Sequence, residues 1–124
     1  MKDSTNPTST FAMVIGIFLL VEGVWGLFSD VVFGFLTTNL LHAAIHIALG
    51  LIGISLGKND KARGYCIFLG ALLLAVGILR FIPGINNILI DLLNVNVAVA
   101  LVNILVGIMA LGCVYLGNHS LLRA

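Results

Sequence analysis

Long apolar segments constrain this chain more than any other feature of its sequence. Four of them are at least 18 residues long, and they cover residues 11–28, 39–57, 65–82 and 96–117. A helix needs about 20 apolar residues to cross a hydrocarbon layer of ~30 Å. Only 9% of the residues are charged, whereas about a quarter are charged in a soluble domain. The sequence therefore predicts one all-α domain over 11–117, an integral membrane four-helix bundle.

The segments outside these spans have different expected roles. Residues 1–10 are polar and are expected to form a loosely ordered tail, and residues 118–124 a short C-terminal tail. Between about 85 and 95 the apolar residues recur at i, i+3, i+4 and i+7, which predicts an amphipathic helix at the membrane interface. The connector 29–38 has an apolar centre too short to cross, so it is expected to lie in the interface or dip partly into the membrane.

Lysine and arginine fall mostly on one side of the predicted membrane. Arg80 is the one such residue in the two long connectors, and the other five are Lys2, Lys58, Lys61, Arg63 and Arg123. The positive-inside rule therefore predicts a multi-pass protein of the plasma membrane with both termini in the cytoplasm. A net charge of +1, with its basic residues scattered, gives no face for binding nucleic acid.

The two halves of the chain resemble each other. A shift of 57 residues aligns Asn39 with Asn96, His46 with Asn103 and Gly50 with Gly107, and a shift of 54 aligns Phe11, Gly16 and Gly23 with Tyr65, Gly70 and Gly77. This pattern predicts two similar helix hairpins with the same direction in the membrane. Chance periodicity in glycine-rich helices is the alternative explanation.

Small residues mark the expected helix contacts. In lipid no hydrophobic force draws helices together, so close backbone approach at glycine holds them. The positions predicted to pack are Gly16, Gly23, Gly50, Gly53, Gly57, Gly70, Gly77 and Gly107. Packing within one chain is the simpler interpretation, and an interface with a second copy or with another membrane subunit is the alternative.

Polar residues within the spans form the candidate site. Counted from the predicted outer ends, Glu22, His46 and Asn103 lie roughly 9 to 10 Å deep, and His42 and Arg80 roughly 3 to 5 Å deep. Ionisable groups in a spanning helix usually face the interior and are paired. A Glu22–Arg80 pair surrounded by the histidines and Asn103 is therefore expected.

Three roles for this cluster remain open from the sequence. It can be a polar network that fixes helix register, or a site for a metal, quinone, pigment or lipid headgroup, or a path for protons. Glu22, His42 and His46 make a two-histidine, one-carboxylate set, but Arg80 would repel a cation. No ionisable residue continues a proton path toward the cytoplasmic side. No motif for a nucleophile or a phosphate-binding loop is present, so an enzyme is not expected. The cofactor is left unknown.

The stretch NLLHAAIHIALGLIGISLG, residues 39–57, resembles a family of small four-span bacterial membrane proteins known only as a domain of unknown function. The N-x-x-H-x-x-x-H-x-x-x-G signature of that family is matched by Asn39, His42, His46 and Gly50. The family tends to have a further histidine in the fourth span, where this chain has Asn103. The resemblance implies a bacterial inner-membrane protein and no particular activity, and the departure at Asn103 weakens the case for a metal. Function is thus expected to be that of a structural or accessory subunit, with a membrane binding protein as the alternative.

Overall fold

The computed structural model describes residues 7–123, and side chains over residues 7–117. Over these residues the chain forms five helices and one short β-hairpin. In chain order they are α1 (Pro7–Gly26), β1 (Val31–Val32), β2 (Leu36–Thr37), α2 (Leu40–Lys58), α3 (Arg63–Leu79), α4 (Asn86–Leu93) and α5 (Val97–Arg123). The long connectors 27–39 and 80–96 lie at one end of the helices, called the connector end below. The loop 59–62 lies at the other end.

Helices α1 and α2 pack against each other as an antiparallel pair, held at their glycines. A Cβ added to Gly16 would lie 2.8 Å from the carbonyl oxygen of Gly50, and one added to Gly50 would lie 2.6 Å from that of Gly16. Gly23 meets Ala43 further along the same interface, and Gly57 meets Ser9 and Met13 at the loop end. The two backbones therefore approach more closely than any side chain would permit.

Helices α3 and α5 pack in the same antiparallel way. Gly70 faces Gly107, and a Cβ on Gly107 would lie 2.9 Å from the Gly70 carbonyl oxygen. Gly77 faces Ala100 and Ile104, as Gly23 faces Ala43 and Ile47 in the first pair. The equivalent residues are separated by 54 positions for α1 and α3 and by 57 positions for α2 and α5, which are the shifts that align the two halves of the sequence.

The two helix pairs meet along α1, which contacts both α3 and α5. The largest buried cluster lies there, with Leu69 and Cys66 of α3 completely inaccessible. Its other buried members are Phe11, Ala12, Ile15, Leu19, Ala62, Tyr65, Leu73, Val106, Ala110 and Val114. Tyr65 also ties α2 to this cluster, because its hydroxyl donates a hydrogen bond to the Leu49 carbonyl (2.8 Å) and its ring packs on Gly53.

Gly53 and Gly57 thus contact residues of their own chain, as do the other six glycines predicted to pack. Gly112, by contrast, has no atom within 4 Å of an added Cβ. Packing within the chain therefore accounts for the glycines singled out in the sequence.

Three helices in the described part of the chain, α1, α2 and α5, are long and apolar enough to cross a membrane. Their outward faces are apolar, with exposed side chains such as Val14, Leu51 and Leu105. Helix α3 is apolar but has only 17 residues. Turn hydrogen bonds at Arg80, Phe81 and Ile82 continue its direction briefly beyond Leu79.

The helix ends differ from the predicted boundaries at both termini. Helix α1 begins at Pro7, within the segment expected to be a loosely ordered tail, because proline suits the first helical turn and the Ser9 hydroxyl donates to the Asp60 carboxylate. Residues 1–6 of that tail lie outside the described part. Helix α5 continues to Arg123, through most of the segment expected to be the C-terminal tail. Where an amphipathic helix was expected at 85–95, the structure has α4, whose Ile88 and Leu92 are exposed.

The hairpin in the first connector dips alongside α1. Its strands pair Val31 with Thr37 and Val32 with Leu36, and its turn holds Phe33 at φ 56°. That left-handed backbone is unusual for a bulky residue and costs about 1–3 kcal/mol. The Phe33 ring stacks on Phe18 (centroids 5.7 Å apart) and meets Trp25 edge-on (5.0 Å). Phe18 lies about 12 Å before the end of α1 and Trp25 lies beside that end, so the Phe33 ring packs along the last turns of the helix.

Candidate functional site

Two asparagines begin the helices that follow the long connectors. Asn39 accepts a hydrogen bond from the backbone N–H of His42 (2.9 Å), and Asn96 accepts one from that of Val99 (2.8 Å). Each therefore satisfies an N–H in the first helical turn, as asparagine does at this position in many helices. The amide groups of both side chains remain free to donate elsewhere.

Both amides donate across to the opposite connector. Asn39 Nδ2 donates to the Leu92 carbonyl (2.8 Å), and Asn96 Nδ2 donates to the Phe35 carbonyl (3.0 Å). The pairs 39 and 96, and 35 and 92, are each separated by 57 positions. The two connectors are consequently joined by reciprocal bonds, one from each half of the chain.

Further side-chain bonds join the connectors between these two. The Thr37 hydroxyl donates to the Asn94 carbonyl (2.6 Å) and accepts from the Asn96 N–H (3.1 Å). Asn94 Nδ2 donates to the Thr38 carbonyl (2.7 Å). Asn94 itself ends α4 at φ 54°, a left-handed conformation that asparagine tolerates well. Residues 31–39 and 92–96 together form a closed unit, called the polar cap below.

Beneath the polar cap lie the acidic and imidazole side chains of the predicted cluster. Glu22 of α1 and His46 of α2 are 92% and 93% buried, and Glu22 Oε1 is 3.8 Å from His46 Nδ1. Hydrogen bonds of this type are about 2.7–3.2 Å long. The two groups therefore face each other at ionic range without a direct hydrogen bond.

His42 connects this pair to the polar cap. Its Nδ1 lies 3.0 Å from the Leu93 carbonyl oxygen, which can only accept, so Nδ1 carries the proton that it donates. The His42 ring packs edge-on against the ring of His46, with centroids 4.3 Å apart. One turn of α2 thus carries contacts from the connectors to the carboxyl group of Glu22.

A small cavity lies among these side chains. It is lined by Glu22, Val32, Leu36, Thr37, Thr38, His42, His46, Val99, Val102 and Asn103. The centre of a water molecule can occupy about 20 Å³ of it. A cavity needs at least about 10–15 Å³ of space to hold one water. The cavity therefore has room for about one water-sized molecule.

The structure brings together four of the five residues predicted for the cluster, and Arg80 is the exception. Arg80 Nε donates to the Val95 carbonyl (2.7 Å), and no ionic contact among the described residues joins it to Glu22. The expected Glu22–Arg80 pair is therefore wrong. Arg80 instead lies at the end of α3 and donates its hydrogen bond to the second connector.

This geometry limits which ligands the side chains around the cavity can bind. No group of three His, Cys, Asp or Glu side chains in the described part of the chain is arranged to hold a metal ion. The carboxyl of Glu22, the His46 ring and the Asn103 amide can instead form hydrogen bonds with a small polar molecule. The histidines also have one ring nitrogen each that can accept a proton.

Sequence reasoning missed the residues that close the cavity. Thr37, Thr38 and Asn94 lie in connectors, and their contacts depend on how the hairpin and the end of α4 meet. The asparagine before α2 and before α5 could have been recognised from the sequence, because asparagine is a common N-cap residue at the start of a helix. The partners that its amide reaches in the other connector have no signature in the sequence.

Comparisons with known proteins give a family for the chain. Residues 9–117 match the family described as Domain of unknown function (DUF4383). Comparisons with curated proteins and with solved structures gave no significant match. Because the family match covers most of the 124 residues, the protein belongs to the family of the domain of unknown function DUF4383.

Proposed function

We propose that this protein is a structural or accessory subunit of a membrane assembly, without enzymatic activity of its own. The observation that carries the proposal is the water-sized cavity at Glu22 and His46, lying beneath a polar cap that is fastened by side-chain hydrogen bonds. Such an arrangement fixes how the helices and connectors fit together. The space among the polar residues of the cluster has room for about one water-sized molecule.

The proposed architecture is a four-helix bundle of α1, α2, α3 and α5 spanning the bacterial inner membrane. Helix α3 is the shortest of these, but it pairs with α5 through glycines as α1 pairs with α2, and its turns to Ile82 lengthen it by about 4–5 Å. The matching contacts of the two pairs support an origin as two repeated hairpins. An even number of spans gives both hairpins the same direction.

The proposed orientation has the loop end in the cytoplasm. Lys58, Lys61 and Arg63 lie in or beside the loop 59–62, whereas the connector end has Arg80 alone. Basic residues in short loops favour the cytoplasmic side. The polar cap then faces the periplasm.

The size of the cavity favours a structural role over the binding of a large cofactor. A quinone, a pigment or a lipid headgroup would each need far more than the room for about one water molecule. The nearest histidine and carboxylate atoms do not form a three-ligand group for a metal. The accessory role draws on the apolar outward faces of the helices, which suit neighbouring membrane subunits as well as lipid.

The experiment that tests the absence of a cofactor is purification in a mild detergent, followed by metal analysis, visible absorption and lipid extraction. We expect a colourless protein with less than one metal ion per chain and no tightly held lipid. A stoichiometric metal or pigment that is lost in Glu22→Gln, and retained in a control such as Asn87→Gln on exposed α4, would contradict the proposal.

The accessory role needs a second experiment in native membranes. A photo-reactive residue at Leu51, Phe68 or Leu105, each exposed on a different helix, samples the outward faces. We expect at least one of these variants, expressed at the level of the wild-type protein, to crosslink to a single discrete protein. Crosslinks to lipid alone at all three positions would contradict an accessory role.

A further inference from the structure

Asn103 is a buried polar side chain that has no hydrogen-bond partner within the described part of the chain. Its residue is 93% buried on α5. It lines the same cavity as Glu22 and His46. Every fully inaccessible side-chain nitrogen or oxygen atom of the described residues has a hydrogen-bond partner, so the unbonded Asn103 amide is open to the cavity. An unbonded amide in an apolar interior is unfavourable, so a group that bonds to it is expected in the cavity.

Glu22 also has no direct hydrogen bond to a described side chain. Its ionic contact with His46 Nδ1 is 3.8 Å long, too far for a direct hydrogen bond. In a membrane no bulk solvent satisfies such a carboxyl group. Two polar side chains from α1 and α5 and an imidazole from α2 therefore converge on one small space, each lacking a direct hydrogen bond to another.

The geometry points to a binding site for one water-sized hydrogen-bonding molecule, water itself, bridging Glu22, His46 and Asn103. Both conditions for a buried water are met: about 20 Å³ of room, against the ~10–15 Å³ that one water requires, and three polar groups around it. Water can donate to the Glu22 carboxyl and accept from the Asn103 amide at the same time. The inference rests on the proposed structural role, which this molecule completes by linking α1, α2 and α5.

The polar cap forms one wall of the site. Thr37 and Thr38 line the cavity and are also part of the bonds to Asn94. The hairpin and the second connector are therefore held together where they border the bound molecule.

The test combines a structure of the full protein at about 2 Å resolution or better with the variant Asn103→Leu. We expect a density peak within hydrogen-bond distance of the Glu22 carboxyl and the Asn103 amide, without anomalous signal from a metal. Leucine has the branching of asparagine but is larger and has no polar group, so we expect Asn103→Leu to remove the peak and to lower the midpoint of unfolding. The matched control is Asn87→Leu on exposed α4, which should change neither.

Each other outcome overturns the inference in a distinguishable way. If the cavity holds no peak and Glu22 bonds directly to Asn103 or His46, the bridging water is wrong and the structural role stands. If Asn103→Leu raises the unfolding midpoint, as an apolar residue would in a core needing no polar group, the site is again wrong. A larger ligand or a metal in the cavity would overturn both the inference and the proposed function.

Discussion

Glu22 and His46 face each other across the interface of α1 and α2, with Glu22 Oε1 3.8 Å from His46 Nδ1. His42, one turn before His46, contacts the His46 ring and donates to the Leu93 carbonyl of the polar cap. A line of contacts thus joins the carboxyl group inside the helices to the second connector. The polar residues at the connector end therefore behave as one unit, and its parts can be tested separately.

The two capping asparagines should contribute similarly to stability. Asn39→Ala and Asn96→Ala each remove an N-cap and a bond to the opposite connector. We expect each to lower the free energy of unfolding by about 0.5–2 kcal/mol, measured by reversible unfolding in mixed detergent micelles. Asn87→Ala, on an exposed face, serves as the control. A loss in one variant and none in the other would contradict the equivalence of the two connectors.

The glycine contacts predict that alanine lowers stability at one helix position and does not lower it at another. Gly16→Ala forces a methyl group against the Gly50 carbonyl, only 2.8 Å away, and overpacking of this kind costs about 1–3 kcal/mol. Gly112→Ala has open space, and alanine favours helix over glycine by up to about 1 kcal/mol. Unfolding in the same micelles should therefore show a loss for the first and no loss for the second. Equal effects would mean that α1 and α2 do not approach as described.

The helices and their contact surfaces were predictable from apolar length and glycine spacing, because both are local properties of one helix. Depth counting brought Glu22, His46 and Asn103 to one level. It could not give the direction in which Arg80 points, so the Glu22–Arg80 pair failed. The start of α1 at Pro7 was missed because a polar residue such as Ser9 is typical of a terminal tail. Its hydrogen-bond partner, Asp60, lies in a loop that is distant in the sequence.

The position of the hairpin can be followed through Trp25, the single tryptophan of the sequence. Phe33→Leu removes the ring that meets Trp25 at 5.0 Å and stacks on Phe18. We expect a weaker near-ultraviolet circular dichroism signal from Trp25 with an unchanged helical signal. Phe68→Leu, at an exposed site on α3, is the control. An unaltered Trp25 signal in Phe33→Leu would place the hairpin elsewhere.

The proposed orientation predicts which loops a membrane-impermeant thiol reagent can reach. With Cys66 and Cys113 replaced by alanine, Asn87→Cys at the connector end should react in cells whose outer membrane is permeabilised. Asn59→Cys at the loop end should react only after the inner membrane is opened. The reverse pattern would show that the basic loop lies outside the cytoplasm.

The central claim is that Glu22 and His46 stabilise the fold as a coupled pair. A double-mutant cycle on the free energy of unfolding, with Glu22→Gln, His46→Gln and the two combined, measures that coupling directly. Because each side chain alone leaves the other buried and poorly satisfied, we expect each single variant to lose stability and the double variant to lose at least about 0.5 kcal/mol less than their sum. Losses that simply add would contradict the claim.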